Sequence, residues 1–278
     1  MSDQFPIPGS ELGARRRERQ RWEQVAAGFS DFYGAPSTGY YRRCEIALLE
    51  HAAAPLAGLR VLKLDLWNEA FNTRILHWLA EQGAEVHGMD QSGRVTFAAH
   101  RNRRHTRAPL RLLSADIRDL PFADRSYDLV YTMGTIEHIP EYRRTLAEIH
   151  RVLRPGGRAI VGVPHRWNLF LRPLLVALLA RFGLYPYAPE KSFSAPELRR
   201  DLEGAGLRVL ERTGILTLPG LLRMADVYCY TRGIPLYRLS PLVLAPFQLA
   251  ETRWRWPGRF GYLLAMVAER PAEVDPAG

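Results

Sequence analysis

Short apolar runs alternate with segments of helical spacing along much of this chain of 278 residues. Between residues 69 and 82, for example, Phe71, Ile75, Leu76 and Leu79 recur at intervals that place them on one face of a helix. Such alternation predicts a parallel sheet with helices on both faces. The predicted helices span 11–28, 40–54, 69–82, 92–103 and 141–153, and the predicted strands span 59–66, 84–89, 110–114, 127–132 and 158–163.

The regular alternation stops after Pro164. Two irregular apolar stretches, at 165–192 and 214–258, are predicted to be insertions. They surround a helix that starts after Ser194, with Glu197 at the spacing of a capping box, and strands at 207–212 and 262–268. We therefore predict an α/β fold with one doubly wound, seven-stranded, mostly parallel sheet. A helical lid at 1–54 precedes this domain at 55–270, and a flexible tail follows at 271–278.

Composition and charge narrow the choice of partners. The net charge is +9, but the arginines are scattered over predicted helices and no stretch interleaves them with aromatic residues, so we expect no nucleic-acid partner. Cys44 and Cys229 form neither a CxxC pair nor part of a metal-ligand cluster, so we expect no metal. There is no apolar signal segment at the N-terminus and no run of the roughly 18–20 apolar residues that a membrane span needs. These features favour a cytoplasmic protein.

Four motifs lie at or beside the second to fifth predicted strands, in chain order. Asp90 ends the second strand, DIRDLPF starts at Asp116 after the third, YDLV at Tyr127 is followed by TIEHI, and LRPGG precedes the fifth. Their order and spacing over about residues 59–164 resemble the class I S-adenosylmethionine-dependent methyltransferases. The similarity is greatest to the type 11 small-molecule branch, which includes quinone and lipid-precursor methylating enzymes. The resemblance implies S-adenosylmethionine as the cofactor and methyl transfer as the activity.

The resemblance also implies cofactor contacts. It places Asp90 at the ribose, where a carboxylate can accept from both hydroxyls, and Asp116 at the adenine amino group. Tyr33, Tyr40 and Tyr41 resemble an N-terminal lid over the cofactor. Alternatively, they pack the N-terminal helices on the sheet. The implied contacts outside the first loop are Asp90, Gln91, Asp116, Ile117, Thr132, Tyr33 and Tyr41.

The first loop departs from the family pattern. Lys63 stands where the family has an acid, and Asp65, Trp67 and Glu69 stand where it has glycines, which accept positive φ and let the backbone approach a ligand. In one interpretation the loop has been rebuilt, with Asp65 or Glu69 binding the cofactor's ammonium group. Asn68, a plausible cap of the next helix, is then also a cofactor contact. In the other, the cofactor site has decayed, Trp67 fills it, and the domain is a non-catalytic binding module.

The same loop argues against a dinucleotide-dependent dehydrogenase. That class needs G-x-G-x-x-G after the first strand to place a pyrophosphate at a helix N-terminus, and the signal is absent. For methyl transfer to an acidic hydroxyl, His138 is the first candidate base and His165 the second. His138 could equally serve only to cap its loop.

The two insertions bear on the acceptor. They are rich in leucine and aromatic residues with interspersed arginines. This composition predicts a small hydrophobic or lipid-like acceptor, such as an isoprenoid quinone precursor, and peripheral contact with the inner face of a membrane. Alternatively, the insertions pack on each other as ordinary core.

Overall fold

A computed structural model describes residues 11–102, 109–185, 187, 190–254 and 260–272. The end of the helix predicted at 92–103 and most of the predicted tail lie outside these residues. The described residues form one sheet of seven strands in the order β3-β2-β1-β4-β5-β7-β6, with β7 antiparallel to both neighbours and the other pairs parallel. The strands are β1 Arg60–Lys63, β2 Glu85–Asp90, β3 Leu110–Ser114, β4 Tyr127–Met133, β5 Leu153–Pro164, β6 Arg208–Ile215 and β7 Leu263–Glu269. The predicted fold class is confirmed.

Helices cover both faces of this sheet, as the alternating strand pattern requires. Val61 and Leu62, adjacent on β1, belong to two separate apolar clusters because neighbouring side chains of a strand point to opposite faces. The helices are α1 Glu11–Ala27, α2 Pro36–Ala53, α3 Trp67–Phe71, α4 Ile75–Glu81, α5 Gly93–Asn102, α6 Tyr142–Val152, α7 Arg172–Arg181, α8 Ala195–Gly204, α9 Gly220–Thr231 and α10 Ser240–Trp254. The predicted capping box at Ser194 and Glu197 is present at the start of α8.

The helix predicted at 69–82 is interrupted. It starts at Trp67, so Asn68 lies inside α3 instead of capping it, and the chain turns at Arg74, where φ is 52°. Side chains from other helices replace the missing helical hydrogen bonds. The Asn102 amide donates to the carbonyls of residues 69 and 70, and Arg42 donates to those of 73 and 74. Tertiary contacts therefore override the helical period here.

The stretches predicted to be irregular contain helices. The first holds α7 and the second holds α9, a 3₁₀ segment at Pro235–Leu239 and α10. Prolines suggested loops, but the proline of α7 lies in its first turn, where no N–H is needed. Strand β5 likewise starts earlier than predicted, because Leu153 pairs with Tyr127 ahead of a register shift. None of the helices in the described part of the chain combines the length and the apolar character that a membrane span requires.

Candidate active site

A cleft opens at the carboxyl ends of β1 to β4, on both sides of the point where the strand order reverses. Ligands of doubly wound sheets bind at this location. Its empty volume, counted out to the open solvent, is about 1150 Å³. The sequence-predicted residues that line it are Tyr41, Asp65, Asn68, Asp90, Gln91, Asp116, Ile117 and His138.

Asp90, at the end of β2, is half-buried in the wall of the cleft. One oxygen accepts from the backbone N–H of Ser92 at 2.8 Å and the other from that of Leu66 at 3.1 Å. Burial raises the pKa of Asp90 to about 7, and these two hydrogen bonds limit the rise. Each oxygen keeps a lone pair, so Asp90 can accept further hydrogen bonds from a ligand.

Asp116 occupies the turn after β3. Arg118 holds its carboxylate through the Nε and Nη2 atoms at 2.8–3.1 Å, and the backbone N–H of Arg118 donates to it as well. Although partial burial opposes the charge, these contacts keep the pKa of Asp116 below its usual value. Arg118 in turn contacts Glu18 of α1 and Glu141, so one guanidinium joins the cleft wall to the first helix.

The loop after β1 contains a buried ion pair. The Lys63 ammonium lies 2.8 Å from an Asp65 carboxylate oxygen and donates to the Asp65 carbonyl, while Thr135 donates to the other carboxylate oxygen at 3.2 Å. Burial disfavours the charge of Lys63, but Asp65 and Glu69 together keep its pKa above the usual value. The basic residue at the family's acidic position therefore fixes Asp65 at the cleft.

Three predicted contacts do not line the cleft. Glu69 is buried and accepts from the backbone N–H of Leu76 at the start of α4, and burial raises its pKa to about 7. Thr132 is fully buried within β4, whereas the next residue, Met133, lines the cleft because successive strand side chains alternate. Tyr33 is 43% exposed, with the Arg74 guanidinium 4.0 Å from its ring centroid.

Helix α1 covers the cleft from one side. Trp22 lines the cleft and packs edge-on against Trp67 and His138, with ring centroids 5.7 Å and 5.1 Å away. Glu18 accepts from the Gln91 amide at 3.0 Å, and Glu23 accepts from the backbone N–H of Gly93 at 2.6 Å, at the N-terminus of α5. Tyr40, also predicted as part of a lid, packs beneath α10 instead and does not line the cleft.

The two candidate bases lie in different surroundings. His138 lines the cleft on a 3₁₀ turn after β4, with Nε2 4.0 Å from a carboxylate oxygen of Glu137. His165 is fully buried and does not line the cleft. Burial, with Arg212 nearby, lowers its pKa to about 4. The structure therefore leaves His138 as the histidine with access to a ligand.

Glu137, His138 and Glu190 have ligand atoms within 4.8 Å of one another, a spacing that a metal ion could use. Arg172 already pairs with Glu190, while burial raises the pKa of Glu137 well above its usual range. The expectation that the protein uses no metal stays a prediction.

The far wall of the cleft comes from the insertions and from β7. The sequence analysis assigned the two insertions to the acceptor but singled out none of these residues, because they lie in segments without regular periodicity and far apart along the chain. Arg223 extends from α9, and Arg172 lies at the start of α7 with Tyr262 under its guanidinium at 4.5 Å. The cleft-lining residues on this side are Arg172, Tyr185, Tyr187, Glu190, Leu216, Arg223, Tyr262 and Leu263.

The sheet order and the carboxylates at the strand ends define a class I methyltransferase fold. Consistent with this, a sequence model of a family described as a methyltransferase domain matches residues 70–161, a range that begins after the unusual first loop. Residues 70–161 therefore match a methyltransferase domain, and the described residues have the fold of the class I S-adenosylmethionine-dependent methyltransferases.

Sequence relatives agree with the methyltransferase domain. A demethylmenaquinone methyltransferase from Thermus thermophilus is 34% identical over 143 residues, 46% of this chain and 65% of that protein. A ubiquinone biosynthesis O-methyltransferase from Rhizobium etli is 25% identical over 171 residues, 59% of this chain and 66% of that protein. The matches thus span just under two thirds of these relatives. The solved structure of an S-adenosylmethionine-dependent methyltransferase from Mesorhizobium loti has the same fold, with a TM-score of 0.56 and 16% identity over 82% of this chain and 98% of that chain.

Proposed function

We propose that this protein transfers the methyl group of S-adenosylmethionine to a small hydrophobic acceptor. The observation that carries the proposal is the meeting of Asp65, Asp90 and Asp116 in one cleft whose opposite wall is aromatic. Carboxylates suit a cofactor that carries positive charge and no phosphate. A dinucleotide fits less well, because Asp65 lies two residues before the start of α3, where the pyrophosphate of a dinucleotide would be placed.

Different residues of the cleft suit the ribose, the adenine and the ammonium group of the cofactor. Asp90 accepts hydrogen bonds from the ribose hydroxyls beside Gln91, and Asp116 with the backbone of Ile117 meets the adenine. Asp65 receives the ammonium group, because Lys63 and Thr135 hold its carboxylate at the cleft while Glu69 is engaged with α4.

The unusual loop is compatible with an open site. Trp67 packs edge-on against Trp22, Phe29 and Phe71 in the wall, at centroid distances of 4.7–5.7 Å. The space beside Asp65 and Asn68 still belongs to the cleft. This arrangement supports a rebuilt loop over a decayed one.

The acceptor is proposed to be an apolar molecule with an ionisable hydroxyl, such as an isoprenoid quinone precursor. Tyr185, Tyr187 and Tyr262 give the far wall an aromatic character suited to a flat apolar ring. The relatives named for quinone methylation support this class. The bound cofactor supplies an activated methyl group, and His138 removes the hydroxyl proton as the acceptor is aligned.

Contact with a membrane surface is part of the same proposal. On and near α7, Leu174 is 67% exposed and Phe182 is 67% exposed, and Arg181 lies between them. An apolar helix face with basic residues at its border is suited to the interface of an anionic bilayer. An acceptor dissolved in the bilayer could then enter the cleft beside this face.

The experiment is a thermal shift titration with S-adenosylhomocysteine. A ligand that binds only the folded state raises the melting temperature, and we expect this rise for the wild type and its loss in Asp90→Ala and Asp116→Ala. A wild type that shows no shift would favour the alternative, a methyltransferase-like binding module without cofactor. A normal shift in both variants would instead remove the assigned adenosine contacts.

A further inference from the structure

We propose that Arg223, on the insertion helix α9, binds the carboxylate of the cofactor's methionine part and so completes, with Asp65, a subsite for a zwitterionic amino acid. The inference rests on the proposed function, because it names how one end of the same cofactor is held.

The two arginines of the cleft differ in how their charge is compensated. Arg172 pairs with Glu190. Arg223 lies in the same cleft, and among the described residues no carboxylate lies within 4.0 Å of it. Within the described part of the chain its guanidinium donates only to neutral oxygens, the Asn72 amide at 3.2 Å and the Ser37 hydroxyl at 3.4 Å. A guanidinium in a partly buried wall without an anion is a receptor for one, and its planar fork suits a carboxylate.

The orientation of Arg223 is fixed by its own helix. Asp226, one turn further along α9, accepts from the backbone N–H of Ser37 at 2.8 Å, at the N-terminus of α2. This buried contact docks α9 on α2, and the Arg223 guanidinium lies 5.3 Å from the ring centroid of Tyr41 on α2. Arg223 is therefore held at a defined point of the cleft wall instead of sampling solvent.

The neighbours of Arg223 indicate that it would meet the amino-acid end of the cofactor. Tyr41 lines the cleft beside Asn68, and burial raises its pKa well above the usual range, with Arg223 opposing and Asp65 adding to the rise. Both charges thus act on one hydroxyl. An α-amino acid carries its ammonium and its carboxylate on the same carbon, and the Asp65 carboxylate and the Arg223 guanidinium line the same cleft and offer one partner for each group. Asp90 and Asp116 hold the other end.

The test compares two ligands that differ in one group. We would measure dissociation constants by calorimetry for S-adenosylhomocysteine and for its decarboxylated analogue, using the wild type, Arg223→Met and Arg223→Lys. The matched control is Arg232→Met, because Arg232 lies next to the end of the same helix, packed on the Tyr228 ring outside the cleft.

Arg223→Met is expected to weaken S-adenosylhomocysteine by roughly tenfold or more, as for the loss of a hydrogen-bonded charge pair. It should leave the decarboxylated analogue within about twofold, since that ligand never made the contact. Arg223→Lys should fall between, and Arg232→Met should match the wild type with both ligands.

Three results separate the possible failures. Equal weakening of both ligands by Arg223→Met would assign Arg223 a structural role. Unchanged affinity for S-adenosylhomocysteine would mean that Arg223 does not bind the carboxylate of the cofactor. Either result overturns the inference while the proposed function stands. A wild type that binds neither ligand overturns both.

Discussion

Lys63 is fully buried and Asp90 is half-buried at the cleft, and the two charged groups are held in different ways. Lys63 lies within 4.0 Å of two carboxylates, whereas Asp90 has only two backbone N–H donors. Burial therefore shifts the titration of Asp90 to about pH 7, where hydroxyl donors of a ligand would favour the ionised form. The cleft contains a carboxyl group whose readiness to accept hydrogen bonds changes near neutral pH.

Asp90 makes a prediction about pH. We expect S-adenosylhomocysteine to bind about tenfold more weakly at pH 6 than at pH 8, because Asp90 is mostly protonated one unit below a pKa of about 7. Asp90→Asn should bind weakly and with little pH dependence. Calorimetry from pH 5.5 to 8.5 measures this. Glu69→Gln is the control, because Glu69 also titrates near pH 7 but does not line the cleft. If Glu69→Gln abolished the pH dependence of binding, that dependence would belong to Glu69 and not to Asp90.

The same shift affects stability without ligand. The folded protein holds the Asp90 proton more tightly than the unfolded chain, so ionisation of Asp90 lowers the free energy of unfolding as pH rises from about 3.8 towards 7. Urea unfolding should therefore show a smaller loss of stability over this range in Asp90→Asn than in the wild type. An equal loss in both proteins would contradict the assigned shift.

His138 makes a prediction about catalysis. If it removes the acceptor proton, His138→Gln should lower kcat by roughly 10²- to 10⁴-fold and leave the affinity for S-adenosylhomocysteine within twofold. Steady-state kinetics with a hydroxylated quinone precursor measure the first and calorimetry the second. His51→Gln, at an exposed histidine of α2, is the control. An unchanged kcat would mean that the acceptor needs no base at this position.

At the scale of elements, α1 is held on the domain by polar contacts more than by core packing. Among its residues only Gly13 and Ala26 are buried, while Glu18 and Glu23 bind groups at the ends of β2 and the start of α5. A helix with so few buried apolar contacts opens at low free-energy cost. We therefore expect that α1, which carries Trp22 over the cleft, can detach without unfolding the sheet.

Removing α1 tests this arrangement. Deleting residues 1–28 should weaken S-adenosylhomocysteine by about tenfold, because Trp22 and the Glu18 contact to Gln91 are lost, a change worth about 1.4 kcal/mol. Circular dichroism should still report a cooperative thermal transition. Deleting only residues 1–10, which precede α1, is the control. Full affinity in the longer deletion would show that α1 is not a cover for the cofactor.

At the scale of the molecule, exposed apolar side chains concentrate in the insertions. Leu174 and Leu178 of α7 are 67% and 52% exposed, and α9 and the following helices add further exposed leucines. The net charge is +9. Together these features favour adsorption to an anionic surface over a neutral one.

Vesicle sedimentation tests the proposed membrane contact. The wild type should sediment with phosphatidylglycerol-containing vesicles more than with phosphatidylcholine vesicles. Leu174→Asp should reduce sedimentation several-fold, since a charge replaces buried apolar area at the interface. Leu12→Asp, at a 65% exposed leucine of α1, is the matched control. Equal sedimentation of the two variants would place the contact elsewhere or show that there is none.

The sequence by itself determined the sheet and two of the carboxylates at its edge. Strand patterning is local, because alternate side chains meet opposite faces, and parallel strands necessarily bring their carboxyl ends to one edge. Asp90 and Asp116 could therefore be placed at a common cleft from their positions after β2 and β3. The capping box of α8 was likewise predictable, because all its groups lie within four residues.

Only the tertiary structure decided which other groups share that cleft. Arg223 contacts Ser37 across 186 positions of sequence, and no local period relates them. Glu69 accepts a hydrogen bond at the N-terminus of α4, whereas Asp65 pairs with the buried Lys63 and lines the cleft. The two acids lie close in sequence, so only the folded structure shows which of them takes which partner. Such outcomes depend on how deeply each group is buried and on which partners lie beside it. Both are properties of the folded chain and cannot be obtained from the order of the residues alone.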